Sequence, residues 1–395
     1  MVQLSETRTA TLRSRVAADR VAGRTRSQLE PFPSRAGSRW LVRLAFAVPF
    51  VVIALASAAP AVTAATVNAS SVARVAGVPW DRADAAWVGD LYPPLGTVLV
   101  RLIPGGSFGL GIAGALVAGL LLQQLLEVMV HRRFRWWTIL VFLTAVAGNP
   151  LFAYTATGNF EAFLSIALFG VGTVNMVRFI TGRNTKAGFE SGILFMLSAL
   201  ADASGLILVV VVAVTAPLLV VARRGQAGAR SSNVLIVLFP TIAVFLSVMF
   251  LQLVFLDDPF AVFRSVVHYD PARWAIVPYL FTTADGLLLV APVASGAALA
   301  LLARRPGSIL IGVFVFAALI FGFIGGLVAT NSAGNVYLVM SMMAIAILPA
   351  ARTVRTSAWI TAVGGFQIVI AWASAGNRPA TLEWMGAIAR SIGWS

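Results

Sequence analysis

Three aspartates, Asp81, Asp84 and Asp90, fall within ten residues of one another, interleaved with Trp87 and closely followed by Tyr92. A carboxylate held beside a substrate hydroxyl can take its proton, and the faces of Trp87 and Tyr92 can stack on a sugar ring. Pro93 and Pro94 follow directly. Their fixed φ and missing N–H stiffen the backbone and stop any helix arriving from the N-terminal side. Asp90 therefore sits just before a stiff turn. The same stretch also reads as a solvated loop with interfacial aromatics.

Further polar groups lie at comparable positions along the chain. Asn159, Glu161 and Asp202 occupy the short breaks between apolar runs, and acids at membrane depth are costly and usually face a cavity. The segment 257–285 holds Arg264, His268, Tyr269, Asp270 and Arg273. An arginine can grip a phosphate through two parallel hydrogen bonds, so Arg264 and Arg273 are the first candidates for that task, with Arg378 and Arg82 behind them. Lipid headgroups could equally be what they touch. Asp257 and Asp258 could hold a divalent cation through oxygen ligands; no other cofactor is called for. The sequence contains no cysteine and only two histidines, His131 and His268. Thiolate chemistry, disulfides and a histidine-built metal site are thereby set aside.

The elements that carry these residues are apolar. Of 395 residues, 59% are hydrophobic and 11% charged, against about a quarter charged in soluble domains. Such a chain cannot cover a water-facing surface. The reading is an all-α polytopic membrane protein without a soluble domain. A spanning helix needs about 20 apolar residues. Candidate spans lie near 41–65, 107–130, 136–157, 160–180, 187–203, 204–222, 233–256, 286–303, 308–329, 334–350 and 357–375, about 11 in number. The stretch 187–222 counts as two short helices broken at Asp202, Ser204 and Gly205, because only then do all basic loops share one side.

That side is the cytoplasm by the positive-inside rule. Twenty-two of the 29 basic residues fall there, including the nine arginines up to Arg43. The N-terminus is thus cytoplasmic and the C-terminus outside. Residues 1–40 are a disordered basic tail, available to anionic lipid. Residues 41–375 form the membrane domain, with long outer loops at 66–106 and 257–285. Residues 376–395 form an outer tail whose Trp384, Ile388, Ile392 and Trp394 suggest an interfacial helix. The net charge of +14 reflects this orientation rather than nucleic-acid binding. Arginine outnumbers lysine 28 to 1, a codon signature of a GC-rich bacterial genome, so the expected location is a bacterial cell membrane.

The run Asp90-Leu91-Tyr92-Pro93-Pro94-Leu95, followed by an apolar helix, resembles the first outer loop of the C superfamily of membrane glycosyltransferases. The stretch Gly148-Asn149-Pro150 through Thr157-Gly158-Asn159-Phe160-Glu161-Ala162 resembles that superfamily's third-to-fourth helix hairpin. Residues Gly192 to Leu206 resemble the broken helix pair that follows. The likeness spans roughly 41–225. It implies a sugar donor carried on polyprenyl phosphate, an outer-face site, and a cell-envelope glycan or glycolipid as acceptor. Asp90, Asp81 or Asp84 would be the base; Tyr92, Trp87, Asn159, Glu161, Asp202, Arg264, His268 and Arg273 would bind substrate. One departure stands out: many members carry an adjacent acidic pair directly after the first helix, where this chain reads Thr66-Val67-Asn68-Ala69-Ser70-Ser71. A lipid-linked-sugar flippase or transporter, and an inactive scaffold with the same fold, are the alternatives.

Overall fold

A computed structural model describes residues 31–64, 66–80, 91–182, 185–221, 227–303, 309–329, 332–349 and 353–393. The tail before residue 31, the aspartates Asp81, Asp84 and Asp90, and Trp87 and Trp394 lie outside the described residues.

The described residues form helices and no strand. In chain order these are α1 (Ala36–Ala56), α2 (Pro60–Thr63), α3 (Val67–Ala76), α4 (Pro94–Leu102), α5 (Gly106–His131), α6 (Trp136–Ala147), α7 (Pro150–Gly158), α8 (Phe160–Gly182), α9 (Thr185–Ala201), α10 (Ala203–Val221), α11 (Ala227–Leu256), α12 (Ala261–Val266), α13 (Ile276–Thr282), α14 (Ala284–Leu302), α15 (Ile309–Ile324), α16 (Ala333–Ile347), α17 (Val354–Gly376) and α18 (Pro379–Ser391). Five are long and apolar enough to cross a membrane: α1, α5, α14, α17 and the stretch Val234–Leu256 of α11. The bent pair α6–α7 makes a sixth if counted as one span. The chain is thus a helical membrane protein.

Local chemistry explains where the helices differ from the apolar runs. The first run was expected to span 41–65, but α1 begins at Ala36 and stops at Ala56. The Ser57 hydroxyl donates to the Ile53 carbonyl, and Pro60, which has no N–H, opens a separate short turn. The run 136–157 bends by 55° between α6 and α7. Pro150 cannot donate to the preceding turn, and the Asn149 side chain instead accepts the Leu151 N–H at 2.9 Å, capping α7. The loop 257–285 is partly helical, containing α12, a 3₁₀ turn (Pro271–Ala275) and α13. In the C-terminal segment Trp384 does not anchor at a lipid interface. It is 3% exposed and packs edge-on against Tyr154 at 5.5 Å, whereas Ile392 is exposed.

The core is a contiguous apolar layer. Phe152 meets Phe50 at 5.2 Å and Phe163 at 5.3 Å between ring centroids, and Phe169 meets Phe195 at 5.6 Å. Small residues let the helices close on it. A Cβ at Gly119 would stand 2.2 Å from the Arg43 carbonyl oxygen, and one at Gly114 1.8 Å from that of Ala156. Leu41, Leu44, Val48, Val52 and Leu55 on α1, and Phe239, Leu246 and Phe250 on α11, remain exposed, as apolar side chains facing hydrocarbon do.

Charged groups collect at the two ends of this layer. At one, Glu127, 1% exposed, pairs with Arg178 and accepts from Gln123 Nε2 at 3.2 Å and from the Phe32 N–H at 3.3 Å. Arg43 Nε donates to Gln123 Oε1 at 3.2 Å. At that end Arg132 also closes α16, donating to the Ile345 and Leu348 carbonyls, each at 2.8 Å. The opposite end of α5 and α8 holds Glu161 and its partners.

Candidate functional site

The Glu161 end is assembled from four parts of the chain. Helix α3 presents Asn68, Ser71 and Arg74, spaced three residues apart and hence on one helical face. Asn68 bridges the break between α7 and α8, donating to the Thr157 carbonyl at 2.9 Å and accepting the Phe160 N–H at 2.8 Å. The Ser71 hydroxyl donates to Glu161 Oε2 at 2.6 Å, and Arg74 Nη2 meets Glu161 Oε1 at 2.6 Å. Arg74 Nη1 donates to Thr97 on α4 at 2.7 Å. One guanidinium therefore ties α3, α4 and α8 together. Helices α3 and α4 are the two flanks of the segment that carries the three aspartates.

Helix α4 starts at Pro94, where the absent N–H is no loss. Gly96 brings it against its neighbours: a Cβ there would lie 2.5 Å from Glu161 Oε1 and 2.6 Å from the Ala201 carbonyl oxygen. Tyr92, just before α4, donates its hydroxyl to the Ala199 carbonyl at 3.0 Å. Asp202 sits at the break between α9 and α10, where its Oδ2 accepts both the N–H, at 2.9 Å, and the hydroxyl of Ser204. Burial, reinforced by the nearby Asp202 charge, pushes the Tyr92 phenol upward.

The structure thus brings together three residues singled out in the sequence, Tyr92, Glu161 and Asp202, near Arg74, which the sequence did not single out. Glu161 is committed to Arg74 and Ser71 rather than open to a ligand. Asn159 is half-buried and caps α8, its Oδ1 3.4 Å from the Ala162 N–H. Residues of the second loop stand elsewhere. Arg264 pairs with Asp258, its side chain 72% exposed. His268 is exposed, with its N–H donated to the Gly325 carbonyl at 3.0 Å. Gly326 admits that approach: its φ is +82°, and a Cβ there would lie 2.7 Å from the His268 carbonyl oxygen. Arg273 donates to the Phe323 carbonyl at 3.0 Å and lies over the Phe323 ring. These bonds dock the loop on the end of α15. Among the described residues no three acidic or histidine side chains gather as a metal group would require.

Two hollows adjoin this end. The larger, of about 240 Å³, is lined mainly by apolar side chains such as Ile276, Leu289, Phe316 and Ile320, with Tyr279 and Arg378 in its wall. The smaller lies between α8, α10, α15 and α16, and Ser204 lines it. Leu319, Val328, Ser332 and Val336 belong to both linings. The second hollow, of about 10 Å³, has room for no more than about one water molecule. Comparison of this chain with family models, with curated proteins and with solved structures finds no match.

Proposed function

We propose that the chain is a membrane glycosyltransferase that moves a sugar from a polyprenyl-phosphate carrier to a cell-envelope acceptor, working at the Glu161 end of the bundle. The observation that carries this reading is the largely apolar hollow of about 240 Å³ with Arg378 in its wall. A long isoprenoid tail needs an apolar berth, and its phosphate needs a cation beside it.

In this reading an aspartate of the α3–α4 connection, Asp90 first and Asp81 or Asp84 otherwise, accepts the proton of the acceptor hydroxyl. The acceptor oxygen bonds to the anomeric carbon as the bond from that carbon to the phosphate oxygen breaks. The electron pair leaves on the polyprenyl phosphate, where an arginine offsets the charge. Arg378, paired with Asp285 at 2.9 Å, is assigned that task because it lines the hollow, which Arg264 and Arg273 do not. Arg74, Ser71 and Asn68 position the segment and do not touch substrate.

One observation favours an inactive scaffold instead. The stretch following α1 holds no acid, and its polar residues Asn68 and Ser71 are consumed in packing. The deciding experiment uses the purified chain in vesicles with a labelled polyprenyl-phosphate sugar and a panel of hydroxyl acceptors. Transfer that is lost in Asp90→Asn supports the enzyme. Movement of the labelled lipid between leaflets without product supports a flippase. No transfer, together with a partner that co-purifies stoichiometrically, supports the scaffold.

A further inference from the structure

A loop standing in water shows it polar side chains. The segment joining α11 to α14 shows aromatic ones: Phe260, Tyr269, Trp274 and Phe281 are all exposed. Two of these rings lie against α15, Trp274 edge-on to Phe321 and Phe281 edge-on to Phe316, each at 6.3 Å. Phe321 is itself exposed. The Trp274 N–H is satisfied within the segment, by the Tyr269 hydroxyl at 3.1 Å.

The segment also turns back along α11. The buried Gln252 accepts the Val262 N–H at 3.2 Å, and Phe263 of α12 meets Phe245 at 6.0 Å between ring centroids. Phe245 lies eleven residues before Leu256, where α11 ends, or about 16 Å along the axis. It belongs to the stretch Val234–Leu256, which is apolar enough to cross a membrane. Helix α12 therefore stands beside the last turns of a span, not above it. Leu251, Leu253, Val254 and Phe255 stay exposed on those turns, so the lipid-facing side of α11 is continuous with the segment. Its charges suit that depth. Arg264 is paired with Asp258, which lowers the cost of bringing either near hydrocarbon, and its long stem lets the head reach water.

We propose that residues 257–281 form a lipid-contacting rim, seated in the phospholipid headgroup layer at the Glu161 end with their rings at the acyl-chain boundary. Tyr and Trp, with apolar bodies and polar tips, favour that layer. The same rings in water would be an apolar patch without a partner. A sugar platform would use such rings too, but the ring beside Trp274 is the exposed Phe321 and that beside Phe260 is Phe263. Neither offers a hydroxyl a hydrogen bond. The rim is fixed in place, because the His268 N–H and Arg273 hold it to the end of α15. It stands whether or not the chain transfers sugar.

The chain has no cysteine, so single cysteines can carry an environment-sensitive fluorophore at Phe260, Val267 and Phe281, with Leu246 marking the hydrocarbon. The full chain is reconstituted in phosphatidylcholine vesicles that carry spin labels on either the upper acyl chain or the chain end, with iodide on both sides as the aqueous quencher. Dyes on Phe260→Cys, Val267→Cys and Phe281→Cys should be quenched several-fold more by the upper spin label than by iodide. The dye on Leu246→Cys should favour the chain-end label, which sets the depth scale. Three separate exposed positions keep the proposal falsifiable if one variant fails to fold. Iodide quenching equal to that of free dye, with no quenching by either lipid label, would overturn the rim. Protection of the dyes by maltohexaose without lipid quenching would overturn it as well, and would make the rings a sugar platform.

Discussion

Arg74→Ala tests whether the polar network at the Glu161 end is a structural tie. Removing one partner of a buried ion pair costs about 3–5 kcal/mol, because the other charge is stranded. Glu161 is nearly buried, with 10% of its side chain exposed, but Arg74 keeps 35%. Water screens part of that interaction, so the loss falls to about 2–3 kcal/mol. Thr97, fully buried, loses its partner as well, for about 1 kcal/mol more. The expected total is roughly 3–4 kcal/mol. Replacing both charges, Arg74→Met with Glu161→Met, strands no charge, though it leaves the Ser71 and Thr97 hydroxyls unpaired, and should restore part of the loss. The assay is an SDS titration of the purified chain in mixed micelles, followed by circular dichroism. An Arg74→Ala variant within about 0.5 kcal/mol of wild type, or a double variant no better than the worse single one, would refute the argument. The same pair of variants separates two roles for Glu161. If the residue positions α3 and α4, transfer returns with stability in the double variant. If it binds substrate, the double variant is stable and inactive.

Asp90→Asn should abolish transfer with expression and stability unchanged; activity that survives Asp90→Asn, Asp81→Asn and Asp84→Asn together removes the base assignment. Gly96→Ala should destabilise by about 1–3 kcal/mol in the SDS titration, since the new methyl has no room beside Glu161 and Ala201. The cysteine-free chain suits topology mapping: a single cysteine at Ala83 should react with an impermeant maleimide in intact cells, and one at Gly225 should not.

Helix positions were legible because hydrocarbon imposes one rule, a sustained apolar run with its hydrogen bonds satisfied internally. Even the weakest case, the break in 187–222, is marked by Asp202, Ser204 and Gly205, and α9 and α10 meet there. The end of α1 was not legible. Alanines continue past Ala56, so composition does not change where Ser57 and Pro60 end the helix. The candidate site was half legible. Tyr92, Glu161 and Asp202 stood out as polar residues at helix breaks, and they do converge. What binds them did not stand out, because Arg74 lies 87 residues from Glu161 in sequence and one arginine in a polar segment carries no signal of a partner. Its clue was local: Asn68, Ser71 and Arg74 repeat at the spacing of one helix face. For the second loop the residue types suggested phosphate clamps, but arginines bond to whatever acceptor is nearest, and here those are Asp258 and the Phe323 carbonyl.

The distribution of charge through the bundle bears on which activity such a fold supports. A transport path needs polar groups along its length, facing a cavity. Between the Glu127 end and the Glu161 end the described layer is apolar, with Phe50, Leu121, Leu122, Phe152, Phe163 and Phe195 each at most 2% exposed. Some neutral polar residues within it satisfy one another, as Ser165 does with Ser198 and Gln367 with Ser295, whereas the Ser357 and Ser374 hydroxyls are buried without a hydrogen-bond partner among the described residues. The two ends also differ. At the Glu127 end, the Phe32 backbone and side chains from α1, α5 and α8 close around the acid. At the other end Arg378 lies in the wall of a largely apolar hollow and pairs with Asp285 at 2.9 Å. The two ends are therefore built differently: one is sealed by backbone and side chains around a buried acid, and the other sets an ion pair beside a hollow.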